Sequence, residues 1–419
     1  MRALQTNTRN NMYIYMSSIL LSALTFFSFA CSDDAGDEIA QSTPADSVAD
    51  NSFETDYIVV DTDQETFYNN TTVINQPDAE EAFYGQDAMF EGNTPSYVDN
   101  GNSTITDMNT GLMWMADLPD EKYNYNSCVN YADTCTVGGY DDWRLPTIKE
   151  LYSLMLFSGR TGETSVATPY LNTDYFEFRY GDVFGDRDID AQYVTSSIYT
   201  STTMDGNETM FGVNFADGRI KGYPTNDFKT FEIKLVRGHQ NYGHNTYVDN
   251  GDNTISDKST GLMWDAIGST EGMNWEEALA YAKDKNAKNY LGYNNWRLPN
   301  AKELHTLVDY SRSPDYTNSA AIDAIFTVPE ITNEGGQVDY PWYWTSTTHY
   351  DGPSPNKAVY ICFGRALGYW SNRWQDVHGA GAQRSDPKVG DSNDYPNGFG
   401  PQGDAIRIYN FVRLVRDEE

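Results

Sequence analysis

The sequence predicts an α+β protein made of two tandem domains, each with short helices packed on mainly antiparallel strands. Three observations lead there. One stretch occurs twice, as Asp142-Trp143-Arg144-Leu145-Pro146-Thr147-Ile148-Lys149-Glu150-Leu151 and as Asn295-Trp296-Arg297-Leu298-Pro299-Asn300-Ala301-Lys302-Glu303-Leu304. A turn signal, Tyr97-Val98-Asp99-Asn100-Gly101, returns as Tyr247-Val248-Asp249-Asn250-Gly251. Each copy then closes on the same short run, Leu235-Val236-Arg237 or Leu414-Val415-Arg416.

The chain ahead of the first copy reads as a targeting sequence and a tether. Arg2 and Arg9 precede an apolar run from Met16 to Phe29 that is short for a membrane span, so residues 1–30 read as a signal peptide. Ser28-Phe29-Ala30-Cys31 resembles a bacterial lipobox, with Cys31 as the lipidated residue. The acidic segment Ser32-Asp33-Asp34-Ala35-Gly36-Asp37-Glu38 resembles a surface-export signal of some Bacteroidetes lipoproteins, and residues 31–54 have little to bury. Together these predict an outer-membrane lipoprotein displayed at the cell surface, held to the membrane by its lipid anchor alone. From Tyr57-Ile58-Val59-Val60 a β-branched run begins a structured preamble, expected to pack on the first domain.

Within each copy the elements follow one order. Asn-Gly between β-branched flanks is a hairpin signal, expected to place both turn residues at positive φ. Thr110-Gly111-Leu112-Met113-Trp114 and Thr260-Gly261-Leu262-Met263-Trp264 read as buried strands. A helix comes next. Asn274 and Glu277 have capping-box spacing, and Trp275, Ala278, Leu279 and Ala282 form an apolar stripe matched by Tyr125, Cys128, Val129 and Ala132. The Trp-Arg-Leu-Pro stretch opens a second helix, capped by Thr147 with Glu150 or by Asn300 with Glu303. Pro146 and Pro299 hold the chain extended just before it. Behind the cap, Leu151, Leu154 and Met155 match Leu304, Leu307 and Val308 as one core-facing stripe. Trp143 and Trp296 supply buried anchors, and Arg144 and Arg297 are expected to pair a local carboxylate. The segments Phe211 to Phe215 and Ala358 to Phe363 read as core strands. The first domain spans residues 55–240 and the second 241–419. The second carries a Gly-, Asn-, Asp- and Pro-rich insertion from Tyr369 to Gly403, expected to be a long loop.

Composition narrows the function. A formal charge of −33 excludes a nucleic-acid partner, which needs a basic footprint, and disfavours ion pairing with highly sulfated glycans. Aromatic residues are plentiful, with 31 Tyr and 9 Trp, and they are the best binding resource of the chain. Tyr369, Trp370 and Trp374 in the insertion, with Trp342 ahead of the Thr345-Ser346 strand, are the candidate ligand-binding residues. Sugar rings stack their C–H faces on such side chains while nearby Asn and Asp bond the hydroxyls. Trp344 is assigned to the core. Asp249, Asp252 and Asp257 are candidate Ca²⁺ ligands, offering oxygen to a hard cation. The alternative is that they form the hairpin turns. Cys128 and Cys135 lie close enough in sequence for a local disulfide in an oxidising compartment, and Cys362 reads as a buried small hydrophobe. The five His show no metal-ligand spacing, and no Gly-x-Ser-x-Gly, phosphate-binding or zinc motif is present.

The order of Asn-Gly hairpin, Thr-Gly-Leu-Met-Trp, capped helix, Trp-Arg-Leu-Pro-x-x-Lys-Glu-Leu, Thr-Ser and terminal Leu-Val-Arg resembles the Lcl C-terminal domain family, also called DUF1566. The resemblance covers residues 55–238 and 241–416. It implies a C-type-lectin-like fold, related to that of formylglycine-generating enzymes, in bacterial surface or secreted proteins associated with adhesion and glycan binding. It brings no catalytic residues. The copper-binding cysteine pair of the formylglycine-generating relatives has no counterpart, because Cys362 stands alone in its copy. The expectation is a non-catalytic, adhesin-like lipoprotein that binds a glycan. The alternatives are a structural or protein-interaction component of the envelope, and a divergent enzyme.

Overall fold

The computed structural model describes residues 57–162, 166–181 and 188–418; the signal peptide, Cys31 and the acidic tether lie outside them. A small hairpin, β1 (Phe67–Tyr68) with β2 (Val73–Ile74), precedes the first copy. That copy runs β3 (Tyr97–Asp99), β4 (Thr104–Asp107), β5 (Met113–Met115), α1 (Tyr125–Thr134), α2 (Ile148–Tyr152), β6 (Gln192–Tyr193), β7 (Ile198–Thr203), β8 (Asn207–Asn214), β9 (Arg219–Pro224) and β10 (Val236–Arg237). The second begins with β11 (Tyr247–Asp249), β12 (Thr254–Asp257), β13 (Leu262–Asp265), α3 (Trp275–Ala287) and α4 (Ala301–Thr306). It continues with β14 (Ile331–Thr332), β15 (Val338–Asp339), β16 (Trp342–His349), β17 (Lys357–Cys362), β18 (Leu367–Trp370), β19 (Arg373–Asp376), β20 (Gln383–Pro387) and β21 (Val415–Asp417). The α+β class holds, with sheet dominant.

Helix starts follow the caps. Thr147, Asn274 and Asn300 each accept from the amide of the Glu three positions on, whose carboxylate returns to the cap amide. Asn124 caps α1 through the Ser127 amide without a reciprocal Glu. Trp143 and Trp296 are buried, and Arg144 and Arg297 pair Glu150 and Glu303 of the caps they precede.

The hairpins differ from the expected two-residue turn. Their loops cover residues 100–103 and 250–253, and positive φ falls on Gly101 and Ser103, or on Gly251 and Asn253. Asn100 and Asn250 stay outside that region because their side chains brace the loop. Asn100 Nδ2 donates to the Thr104 and Thr106 hydroxyls at 3.0 Å each, and Asn250 does the same to Thr254 and Ser256 at 2.9 and 3.0 Å.

The last strand of each copy returns beside its Leu-Met-Trp strand, with Val236 opposite Trp114 and Val415 opposite Trp264. This closes two four-stranded antiparallel sheets, β10-β5-β4-β3 and β11-β12-β13-β21. A third sheet belongs to both copies. Its seven strands run β16-β17-β20-β9-β8-β6, with β7 also on β8, and the halves meet where Gln383 pairs Ile220. The insertion is therefore not loop throughout: it contributes to the β18–β19 hairpin and forms the seam strand β20, while residues 388–403 carry no strand.

The helices that follow Trp-Arg-Leu-Pro clasp one another across the same seam. Lys149 Nζ donates to Thr306 O and Lys302 Nζ donates to Ser153 O, both at 2.9 Å. These carbonyls lie at helix ends, where backbone acceptors lack intrahelical partners. Burial lowers both ammonium groups to about 8. The exchange is reciprocal, as in an isologous contact between two subunits, here made within one chain. One apolar cluster also crosses the seam, joining Trp114, Leu151 and Phe215 to Trp264, Leu304 and Ile361.

The preamble lies against both copies rather than the first alone. Gln64 exchanges two 2.8 Å bonds with the Thr348 backbone, Asp87 accepts from the Thr347 hydroxyl, and Phe83 rests on Trp275, all in the second copy. Its contacts with the first include Thr62, whose carbonyl accepts from the Phe157 amide at 2.6 Å, and Asp63, which accepts from the Ser158 hydroxyl at 2.6 Å. Among the described residues no helix is long and apolar enough to cross a membrane.

Candidate functional site

Strand register places a cleft at the seam. With Gln383 opposite Ile220, the antiparallel pairing sets Arg384 beside Arg219, and Lys221 shares the face of Arg219 by alternation. Ile220 and Gln383 turn the other way and are fully buried. Arg219, Lys221 and Arg384 thus enter a cleft of about 700 Å³, with Trp370 and Phe399 among its lining residues.

Its walls hold a continuous charge network. Arg219 and Lys357 both donate to Asp351 Oδ2 at 2.5 Å. Asp217 Oδ2 takes Lys221, with Arg219 3.5 Å away. Arg384 Nη2 and His378 Nε2 hold the two oxygens of Asp404, the histidine at 2.9 Å. Burial would raise the Asp351 carboxyl, but Arg219, His349 and Lys357 hold it far below the ordinary carboxylate range. Burial lowers the Lys221 ammonium to about 8, with Asp217 opposing the shift. Burial and the Arg384 charge keep the His378 imidazole well below its ordinary value, hence neutral.

Four lining side chains have a buried polar atom without a protein partner. They are Asp217 Oδ1, the Tyr223 hydroxyl, His378 Nδ1 and Arg384 Nη1. Buried polar groups are as a rule bonded, so these four atoms keep hydrogen-bonding capacity that ordered water can fill.

The aromatic candidates divide. Trp370 lines the seam cleft and is 37 % exposed. Trp374 lines a second concavity of about 470 Å³ with Asp205, Arg365, Arg373 and Asp376. Tyr369 packs edge-on against Trp374, ring centres 5.4 Å apart. Trp342 is not a surface residue. It is 1 % exposed, stacked on Tyr360 at 4.7 Å with its indole N–H on Arg365 O, because β16 is buried along its whole length. Trp344 lies in the core, as assigned.

The three aspartates do not converge on a cation. Asp249 accepts from the Gly251 amide, and Asp252 from the amide and hydroxyl of Thr254. Asp257 is buried and accepts from Thr246, Asn245 and Thr260. They brace turns, and no group of three or more His, Cys, Asp or Glu able to hold a metal occurs among the described residues. Cys128 and Cys135 are both buried and unbonded, so the local disulfide is not formed. Cys128 lies on α1, its thiol aimed at Tyr123 O at 3.4 Å and pushed up to about 12 by burial. Cys362 is a fully buried member of a hydrophobic cluster.

Sequence reasoning missed Asp217, His378 and Arg384. Their shared site is created by pairing between copies, and no local spacing announces it.

The description "Lcl C-terminal domain" belongs to the family whose model matches this chain twice, over residues 103–237 and 253–379. No curated protein and no solved structure matches.

Proposed function

We propose, from the premise that this chain belongs to the Lcl C-terminal domain family and carries its domain twice, that it is a non-catalytic binding protein of the cell envelope that holds a glycan. The observation that carries this reading is the seam cleft, where an exposed Trp370 borders a wall of fixed charges and unpaired polar atoms. Saccharide sites combine those two features, a ring for the C–H face and polar groups for the hydroxyls. The charge network supports binding over turnover: its carboxylates are held by cations, as in a rigid wall. Attachment to the outer membrane through Cys31, with display at the surface, completes the proposal; its support is the lipobox-like sequence and the acidic segment after it. The return of each copy's last strand beside its Leu-Met-Trp strand supports a C-type-lectin-like fold for each.

A thermal-shift titration with a broad glycan panel tests this. A ligand at 100 times its Kd stabilises the folded state by about 2.7 kcal/mol and raises Tm accordingly. At least one sugar class is expected to do so, and Trp370→Ala to abolish the shift while leaving the unliganded Tm near that of the parent, since the ring is already partly in solvent. A panel without any shift would contradict the proposal.

A further inference from the structure

We propose that the seam cleft and the concavity beside Trp374 are two subsites for one chain-like ligand, an extended oligosaccharide that crosses between them over Met204. The proposal rests on the glycan-binding reading above and adds a second subsite and the form of the ligand.

The β18–β19 hairpin separates the two subsites. Its register sets Trp370 opposite Arg373 and Tyr369 opposite Trp374. Side chains alternate along a strand, so Trp370 stands on one face and Tyr369 with Trp374 on the other. Trp370 lines the cleft of about 700 Å³, and Trp374 lines the concavity of about 470 Å³. The Trp374 ring is held in place. Tyr369 packs on it edge-on, and the backbone at Gly335 comes so close that a Cβ added there would lie 3.4 Å from the Trp374 Cβ. Around it stand the polar side chains of Asp205, Asp315, Gln337 and Arg373. A ring face beside hydroxyl partners is what a sugar requires, and the molecule presents that combination twice.

The two concavities meet at one residue. Met204, in the turn between β7 and β8 of the first copy, lines both and is half-buried. Its turn is stitched to the hairpin of the second copy. Met204 N donates to Asp376 O and Asp205 N to Gln375 Oε1, both at 2.9 Å, and Arg373 Nη2 donates to Asp205 Oδ1 at 2.5 Å. Met204 and Asp205 both take positive φ, a conformation that non-glycine residues hold only where surrounding contacts enforce it. The floor between the subsites is thus fixed in its backbone, while the thioether on it adapts to what passes. A single sugar engages one subsite. A chain engages both, and its second contact is intramolecular, so affinity rises without a second cost of association.

Chain length tests this on the whole protein, by titration calorimetry. The probes are the cello-, xylo-, manno-, malto- and laminari-oligosaccharides, each from disaccharide to hexasaccharide. In at least one series Kd should fall about tenfold or more from disaccharide to hexasaccharide. Trp374→Ala should remove that gain and return the hexasaccharide to the affinity of the disaccharide, whereas Trp370→Ala should weaken both. Hydrogen exchange adds a readout that needs no variant: the hexasaccharide should slow exchange at residues 201–206 and 335–337, and the disaccharide should not. If Trp374→Ala fails to fold, that comparison decides. Affinity that does not grow with length, a gain that survives Trp374→Ala, or a hexasaccharide that leaves 335–337 unprotected overturns the second subsite and leaves the glycan reading standing. Binding by no member of any series defeats the glycan reading itself.

Discussion

Glu303→Ala is expected to destabilise the protein by about 3 kcal/mol, read as the loss in unfolding free energy by urea titration. Two contributions add. Arg297 is almost wholly buried, and Glu303 is the carboxylate that shares its burial, at 2.5 Å. The remaining partner, Asp417, is 79 % exposed, and an exposed pair contributes little. Removing Glu303 thus leaves a guanidinium under-paired in a low-dielectric site. It also opens the capping box at Asn300. The equivalent Glu150→Ala should cost about half as much, because Arg144 is 22 % exposed and water can take over its solvation. Equal losses at the two sites would mean that burial of the arginine is not what sets the effect.

Trp264→Ala should cost about 3–5 kcal/mol, the range for truncating a fully buried large aromatic residue. The more specific expectation concerns cooperativity. Trp264 belongs to the apolar cluster that also holds Trp114, Leu151 and Phe215 of the other copy. A calorimetric scan should therefore show one transition in the parent and one, shifted as a whole, in the variant. A variant that melts in two steps would mean that the copies fold separately. Trp264→Phe should be mild, since the indole N–H has no bond to lose.

The sequence carried its local chemistry openly. Capping boxes at Thr147, Asn274 and Asn300, the buried Trp143 and Trp296, and the closing Leu-Val-Arg strands all formed, because each depends on neighbours a few residues away or on the repeat itself. What depended on the second copy was hidden. Lys149 and Lys302 sit inside the most recognisable stretch of the chain, yet their partners are helix carbonyls of the other copy. Composition made residues 369–403 look like a loop, while pairing with β17 and β9 makes part of them a sheet strand. Trp342 misled for a related reason. Aromatic richness alone does not separate a ring on a strand buried along its length from one on a hairpin beside a cleft, such as Trp370.

The central claim is that the binding site is made jointly by the two copies. Hydrogen exchange of the intact protein, with and without a saturating concentration of the glycan that gives the largest thermal shift, tests it most directly. The account predicts slowed exchange on both sides of the seam, at residues 217–224 of the first copy and 376–386 of the second. Protection confined to one copy, or falling on the hairpins at 97–107 and 247–257, would contradict it.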